Sequence, residues 1–278
     1  MRTAIVQCDG VLGDLDANIE IARRHIRDAV AEKAQLIVFP ELSLTGYSIG
    51  SVTDDLVIEA HDARLAAVAA EAGDAAVVLG FLESPNGVQT YNSAAYFEGG
   101  ALVHVHRKLY LPTYGVFEER KHFNPGTSLR AFSTRQGRMA TLICNDAWQP
   151  VLAFVAVQDG AQVLIVPSAS STHAPMAHTK SYWNEITRFY GRMFQSYVVF
   201  ANRVGHEGEL SFWGGSHVID PWGEVVAVAP EGEETILMAD LDLAQVRRRR
   251  HEIPLVREAR LGLVSREIER LIAEGGDI

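Results

Sequence analysis

Cys144 has the clearest capacity for covalent chemistry in this sequence. It follows the apolar run Met139–Ile143 and precedes a polar stretch that ends at Pro150. This pattern predicts a buried strand, a turn and then a helix, which places the thiol near the positive end of a helix dipole. Such a position favours the reactive thiolate over the thiol. A lone cysteine is more often a structural core residue, but two further segments favour a nucleophile here.

Glu41 and Lys108 also follow predicted strands. Glu41 comes directly after Leu36–Phe39 and Pro40 and has apolar neighbours. A partly desolvated carboxylate has a raised pKa, so we expect the pKa of Glu41 to approach that of a general base. Lys108 follows the apolar run Ala101–Val105. Beside a thiolate and a glutamate, its ammonium would stabilise negative charge that develops on a substrate oxygen.

A cysteine, a carboxylate base and a cation together indicate acyl transfer through a thioester. In this interpretation Glu41 takes the proton of Cys144, and the sulfur attacks an amide carbonyl carbon. Lys108 and the backbone N–H of Asn145 hold the oxyanion. The chemistry requires no cofactor and no metal. His104 and His106 share one face of a strand, but the sequence shows no third ligand nearby, so we do not expect a metal site.

Alternating strands and helices predict an α/β fold in which most strands are covered on both faces. Short turns such as Glu98–Gly100 predict that part of the sheet is antiparallel. The predicted strands are Thr3–Cys8, Leu36–Phe39, Ala76–Phe81, Ser93–Phe97, Ala101–Val105, Met139–Ile143, Val163–Val166, Val198–Ala201, His217–Ile219, Glu224–Val228 and Thr235–Ala239.

Helical spacing of apolar residues predicts several amphipathic helices, three of which bear on later observations. Their predicted faces are Val151, Phe154, Val155 and Gln158 in the first, Tyr182, Ile186, Phe189, Tyr190 and Met193 in the second, and Leu261, Val264, Ile268, Leu271 and Ile272 in the tail. The tail face could pack on a second subunit or on the protein's own core.

Composition excludes several classes of protein. The chain has 278 residues, 47% of them hydrophobic, and a net charge of −10, which argues against nucleic acid as a partner. We see no linker, and we expect a single domain over residues 1–278. Two cysteines give no disulfide framework. No signal-peptide or membrane-spanning stretch is evident, so we expect no membrane partner and a cytoplasmic location.

The order and spacing of several segments resemble the carbon–nitrogen hydrolase (nitrilase) superfamily, over nearly the whole chain from Ile5 to about Leu243. The matching segments are Phe39–Glu41 with Thr45–Tyr47, Arg107–Lys108 with Leu111–Pro112, Ile143–Cys144, Val166–Ser171, Ala201–Arg203, Gly214–Ser216 and Asp220–Gly223.

The resemblance implies a catalytic set of Glu41, Lys108 and Cys144. It also implies a second active-site glutamate. Alignment on Asn124–Gly126 puts that residue at Glu119, with Glu118 as the competitor. The implied fold is a four-layer α-β-β-α sandwich, commonly assembled as a homodimer or higher oligomer through a helical layer. We assign substrate contacts to residues within or beside the matching segments: Tyr47, Tyr114, Asn145, Trp148 and Ser168.

Within the superfamily, Tyr114–Glu119 is most similar to the glutaminase portion of glutamine-dependent NAD synthetases. A chain that ends at Ile278 has no room for a synthetase half, and Cys144–Asp146 departs from the Cys-Glu-Asp of that group. We therefore expect a free-standing amidase that acts on a small carboxamide. An N-carbamoyl amino acid amidohydrolase, a nitrilase and a glutaminase are alternatives within the family. A non-catalytic binding protein and a thiol-redox protein are alternatives from other classes.

Overall fold

The computed structural model describes residues 1–52, 55–115, 117–172 and 178–276, and they form two six-stranded mixed β-sheets with helices on their outer faces and one two-stranded sheet. The strands are β1 (Arg2–Gln7), β2 (Leu36–Val38), β3 (Ala76–Glu83), β4 (Tyr91–Glu98), β5 (Ala101–Arg107), β6 (Phe132–Ser133), β7 (Arg138–Thr141), β8 (Val163–Ser168), β9 (Tyr197–Asn202), β10 (Val204–Glu207), β11 (Leu210–Trp213), β12 (His217–Ile219), β13 (Val225–Val228) and β14 (Thr235–Asp240). The α-helices are α1 (Leu15–Ala31), α2 (Ala63–Ala70), α3 (Pro150–Gln158), α4 (Thr179–Phe194), α5 (Leu243–Glu252) and α6 (Leu261–Ala273).

The two large sheets have the same plan. The first has the order β14-β1-β2-β3-β4-β5 and the second β13-β12-β9-β8-β7-β6. In each, three central strands are parallel (β1-β2-β3 and β7-β8-β9) and the outer strands pair antiparallel. The carboxyl ends of parallel strands meet at one edge of a sheet, so residues that follow β2 and β7 lie where a site can form.

Side chains that alternate along the strands build both the centre and the outer layers. Ile5 points into the core between the sheets, together with Val78 from the first sheet and Val199 from the second. Its neighbours Ala4 and Val6 point the other way, towards α1 and α2. On the second sheet, α3 and α4 cover the outer face. The α-β-β-α sandwich predicted from the sequence is thereby confirmed.

Helices α3 and α4 bury a different face from the one that the sequence predicts. In α3 the residues that pack on the sheet are Ala153, Ala156 and Val157, whereas Val151 and Val155 are exposed. In α4 the packed residues are Trp183, Thr187, Tyr190 and Gly191, and the predicted face is mostly exposed at Tyr182, Phe189 and Met193. Small residues fit against the sheet in α3, whereas two aromatic side chains, Trp183 and Tyr190, do so in α4, and the remaining apolar side chains of both helices are left outside.

Helix α6 buries none of its residues. Its apolar side chains at Leu261, Ile268, Leu271 and Ile272 are exposed, so the alternative in which the tail packs on its own core is wrong for this chain by itself. Within the described residues no helix is long and apolar enough to cross a membrane.

Gly80 in β3 lies against the loop that carries Glu41. A Cβ atom at this position would lie 2.5 Å from the backbone N of Leu42 and 2.6 Å from the backbone O of Pro40. The Gly80 carbonyl also accepts hydrogen bonds from the N–H of Leu44 and the hydroxyl of Ser43. A glycine is therefore required by close backbone approach.

We predict that Gly80→Ala lowers the free energy of unfolding by about 1–3 kcal/mol, because the loop must shift to admit a methyl group. Urea denaturation measures this change. Gly262→Ala is the control, since the nearest atom to its added Cβ is Arg266 Nη1, at an ordinary 3.6 Å. Equal stability of the two variants would contradict the close-approach argument.

Candidate active site

Three strand ends bring Glu41, Lys108 and Cys144 into one region. Glu41 follows β2, Lys108 follows β5, and Cys144 follows β7 after two further residues. The Lys108 ammonium donates to Glu41 Oε1 at 2.6 Å and to Glu119 Oε1 at 2.7 Å. Lys108 is only 1% exposed, so a charged ammonium is fixed between two carboxylates away from solvent.

The Glu41 carboxylate is held on both oxygens. Oε1 also accepts from Asn92 Nδ2 at 2.7 Å, and Oε2 accepts from the backbone N–H of Ala169 at 2.8 Å. Asn92 lies in β4, and Ala169 follows β8 in the opposite sheet. Glu41 therefore ties the two sheets together at the site.

Glu119 is the second glutamate that reaches Lys108. Glu118 instead is exposed and pairs with Lys121. Glu119 is buried at the start of a 3₁₀ turn, and its Oε1 also accepts from the Tyr47 hydroxyl at 2.6 Å. Burial raises the pKa of Glu119 to about 7, and the Glu41 charge adds to this rise, while Lys108 and the Tyr47 hydrogen bond oppose it. Glu119 therefore changes charge near neutral pH.

Lys108 stays protonated in this setting. Burial lowers its pKa, but the Glu119 and Glu41 carboxylates outweigh burial and leave the pKa well above its usual value. The positive charge of Lys108 is thus secured by the same two carboxylates that hold the ammonium in place.

Cys144 has a strained backbone and a protonated thiol. Its φ is +45°, a left-handed conformation that costs a non-glycine residue energy and that recurs at functional sites. Burial raises its pKa well above the usual value, and the Glu41 carboxylate raises it further, against an opposing effect of Lys108. The expected thiolate is therefore wrong for the resting state: burial and the adjacent negative charge outweigh any contribution from the helix dipole.

Asp146 fixes the turn that carries Cys144. Its Oδ1 accepts the backbone N–H groups of Leu109 and Tyr110, both at 2.9 Å. Its Oδ2 lies 2.8 Å from His106 Nε2 and accepts the N–H of Ile143 at 3.1 Å. A fully buried carboxylate thus joins the nucleophile turn to the chain on either side of Lys108. The His106 ring is thus hydrogen bonded to Asp146.

Within the described residues no group of three or more His, Cys, Asp or Glu side chains could hold a metal.

A small cavity with a volume of about 20 Å³ opens beside Cys144. Its lining includes four of the residues predicted to contact substrate: Tyr47, Tyr114, Asn145 and Trp148. The Tyr114 hydroxyl donates to Asn145 Oδ1 at 3.2 Å, and Trp148 packs edge-on against Trp183 at 5.7 Å between ring centroids. The sequence analysis missed further lining residues: Pro112, Phe117, Ala169, Ser170, Ser171 and Thr179.

Ser168 does not reach this cavity. It is the last residue of β8 and fully buried, and its hydroxyl has no hydrogen-bond partner among the described residues. The chain turns after Ser168, so the next three residues line the cavity instead. The structure thus corrects the prediction that Ser168 faces the site: Ala169, Ser170 and Ser171 line the cavity instead.

We predict that Asp146→Asn destabilises the protein by roughly 1–3 kcal/mol, because an amide NH₂ would leave backbone N–H donors or His106 unsatisfied in a dry interior. Thermal or urea denaturation monitored by circular dichroism measures the loss. Glu252→Gln is a surface control, since the exposed Glu252 carboxylate lies 3.9 Å from the Arg249 guanidinium, too far for a strong ion pair. If both variants unfold at the same urea concentration, Asp146 does not fix the turn that carries Cys144.

Comparisons with known proteins identify the family that this chain resembles. The family model for carbon-nitrogen hydrolase matches residues 2–251. A glutamine-dependent NAD(+) synthetase from Thermotoga maritima is 32% identical over 87% of this chain, which spans only 42% of that longer protein. An N-carbamoylputrescine amidase from Arabidopsis thaliana is 28% identical over 89% of this chain and 88% of its own.

Among solved structures, a glutamate-to-glutamine mutant of an amidase from Nesterenkonia sp. AN1 carries acrylamide added at its active-site cysteine. It superposes with a TM-score of 0.75 at 25% identity, covering 91% of this chain and 98% of that one. With the family model matched over most of its length, this chain belongs to the carbon–nitrogen hydrolase family.

Proposed function

We propose that the protein is an amidase that hydrolyses a small carboxamide to a carboxylic acid and ammonia through a thioester at Cys144. The observation that carries the proposal is the Lys108 ammonium fixed between the Glu41 and Glu119 carboxylates, close to a cysteine that opens on a cavity. Acyl transfer needs this combination of nucleophile, base and fixed cation. Relatives that are amidases support the same reaction class.

In the proposed mechanism Glu41 accepts the proton of Cys144 as the sulfur attacks the amide carbon. The new S–C bond leaves negative charge on the oxygen, which Lys108 and the Asn145 backbone N–H stabilise. Collapse breaks the C–N bond, and Glu41 returns its proton to the departing ammonia. Glu41 then takes a proton from water, which attacks the thioester and releases the acid, and Cys144 regains its proton. Glu119 orients Lys108 throughout.

The complete Glu41, Lys108 and Cys144 set is evidence against a non-catalytic binding protein, which would have no need to keep a buried lysine between two carboxylates. A thiol-redox function lacks support as well. The other cysteine, Cys8, lies buried in a separate core cluster, and burial raises its pKa to about 12. A thiol of that pKa is not a competent resolving nucleophile.

We predict that hydroxylamine added during turnover of a carboxamide yields the hydroxamate, in a ratio to acid that rises with hydroxylamine concentration. Both products come from one thioester, which any good nucleophile can intercept. Cys144→Ala should abolish both products, and Cys8→Ala should retain both. Colorimetric hydroxamate detection with mass spectrometry measures them over a panel of short aliphatic, aromatic and amino-acid amides. Absence of hydroxamate with every amide, or turnover by Cys144→Ala, would reject the proposal.

We further propose that the protein assembles as a homodimer or higher oligomer. The support is the apolar surface left outside α3, α4 and α6, including Val155, Phe189, Met193 and Ile268. Helices α3 and α4 pack against each other, and exposed apolar side chains on neighbouring helices are typical of interfaces between proteins. A second copy of this chain would cover it, as family members commonly assemble through a helical layer. A cytoplasmic location is part of the same proposal, because a reducing compartment keeps Cys144 as a free thiol.

We predict that light scattering at micromolar concentration gives at least twice the monomer mass, and that Phe189→Glu shifts the protein towards monomer. A charge introduced into an apolar interface is costly to bury. Val88→Glu is the matched control, since Val88 is 84% exposed in a loop far from these helices in sequence. A wild-type monomer at this concentration would remove the assembly proposal.

A further inference from the structure

A buried carboxylate, Glu207, lies beneath the turn that carries Tyr47. Its side chain is almost wholly inaccessible and accepts the backbone N–H of Tyr47 at 3.0 Å and that of Ser48 at 2.7 Å. Glu207 is the last residue of β10, in the small hairpin formed with β11, and is separated from Tyr47 by 160 residues. Two backbone donors on one carboxylate fix the path of the chain at this point.

Two neighbours keep Glu207 in this position. Arg203 donates to Glu207 through Nη1 and to Asp9 Oδ1 at 2.7 Å through Nη2. Gly46, at φ +82°, allows the close approach, because a Cβ there would lie 2.9 Å from Glu207 Oε1. The carboxylate is therefore paired and hydrogen bonded on every side, which is what a buried charge requires.

The contacts continue from this turn into the active site. The Tyr47 hydroxyl donates to Glu119 Oε1 at 2.6 Å, and the same oxygen accepts from Lys108. The Tyr47 ring also packs edge-on against Phe212, whose face is covered by the Arg203 guanidinium at 4.4 Å. Both the backbone and the ring of Tyr47 are thus held from the side of the hairpin.

We propose that Glu207 is a positioning residue for the reaction: it holds the Tyr47 turn so that the phenol stays hydrogen bonded to Glu119. The inference deepens the proposed amidase function and rests on it. Glu207 touches neither substrate nor reacting atoms, and it acts only through Tyr47. Without the hydrogen bonds from the Tyr47 and Ser48 N–H groups to Glu207, the turn relaxes and the Tyr47 hydroxyl no longer donates to Glu119.

The consequence is a shift in the pH dependence. Glu119 faces Lys108, Glu41, Tyr47 and the Cys144 thiol, and of these Tyr47 is the group whose position depends on Glu207. The Tyr47 hydrogen bond helps to keep the pKa of Glu119 down at about 7. Loss of that bond raises the pKa, so Glu119 becomes ionised only at higher pH. Because the ionised form of Glu119 is the one that pairs with Lys108, the acidic limb of the pH profile of kcat/KM then moves to higher pH.

The test is a double-mutant cycle with Glu207→Gln and Tyr47→Phe, read as pH profiles of kcat/KM for a carboxamide. We expect Glu207→Gln to lower kcat/KM at pH 7 by roughly tenfold and to move the acidic limb upward. In the Tyr47→Phe background it should cost no more than about twofold, because the group through which it acts is gone. Asp9→Asn, which shares Arg203 but does not contact Tyr47, should leave the limb in place.

A substrate-free readout separates this inference from the proposed function. Alkylation of Cys144 by iodoacetamide, followed by mass spectrometry across pH, reports the charge state around the thiol without any amide. If no amide is hydrolysed but the alkylation limb moves in Glu207→Gln, the function fails and the positioning role stands. Glu207→Asp, too short to reach both N–H groups, replaces Glu207→Gln if the latter does not fold. An unmoved limb, or equal losses in both backgrounds, overturns the proposal.

Discussion

The structure depends on one buried cation. The Lys108 ammonium is buried in the protein interior, where an unpaired charge would cost several kcal/mol of desolvation free energy. Two carboxylates offset that cost. Glu41 and Glu119 are themselves buried, so each needs further donors, which come from Asn92, the Ala169 N–H and the Tyr47 hydroxyl. Segments from both sheets must therefore meet at this point, and the requirement fixes how the sheets are aligned.

The second constraint is the strained nucleophile. A left-handed backbone at Cys144 persists only where the surroundings determine it. Asp146 holds this conformation through four hydrogen-bonding contacts, and three of them are with residues that flank Lys108 in the chain. The same residue that holds the turn thus sets the position of the nucleophile relative to the cation. The Asp146 contacts thus hold the Cys144 turn against the chain that carries Lys108, while Glu41 and Glu119 compensate the Lys108 charge.

Much of this arrangement could be predicted from the sequence, because strand ends carry strong local signals. The apolar runs before Glu41, Lys108 and Cys144 are readily identified, and alignment on Asn124–Gly126 selected Glu119, the glutamate that contacts Lys108. Asn92 gave no signal, since a polar residue at the start of a strand is ordinary. The hairpin β10–β11 was missed because Val204–Glu207 has no apolar alternation, and its role depends on contacts distant in sequence.

Helix faces and the state of the thiol were predicted wrongly for physical reasons. Apolar spacing shows that a helix has a face to cover, but not whether a sheet or another molecule covers it, as α4 illustrates. The thiolate prediction considered the helix dipole and omitted the buried Glu41 charge. In the mechanism that we propose, the Cys144 thiol remains protonated in this field, so its proton moves to Glu41 as sulfur attacks. Glu41 then becomes neutral and Lys108 loses one of its two counter-charges. The ammonium is therefore freed to stabilise negative charge on the substrate oxygen at the step in which that charge develops.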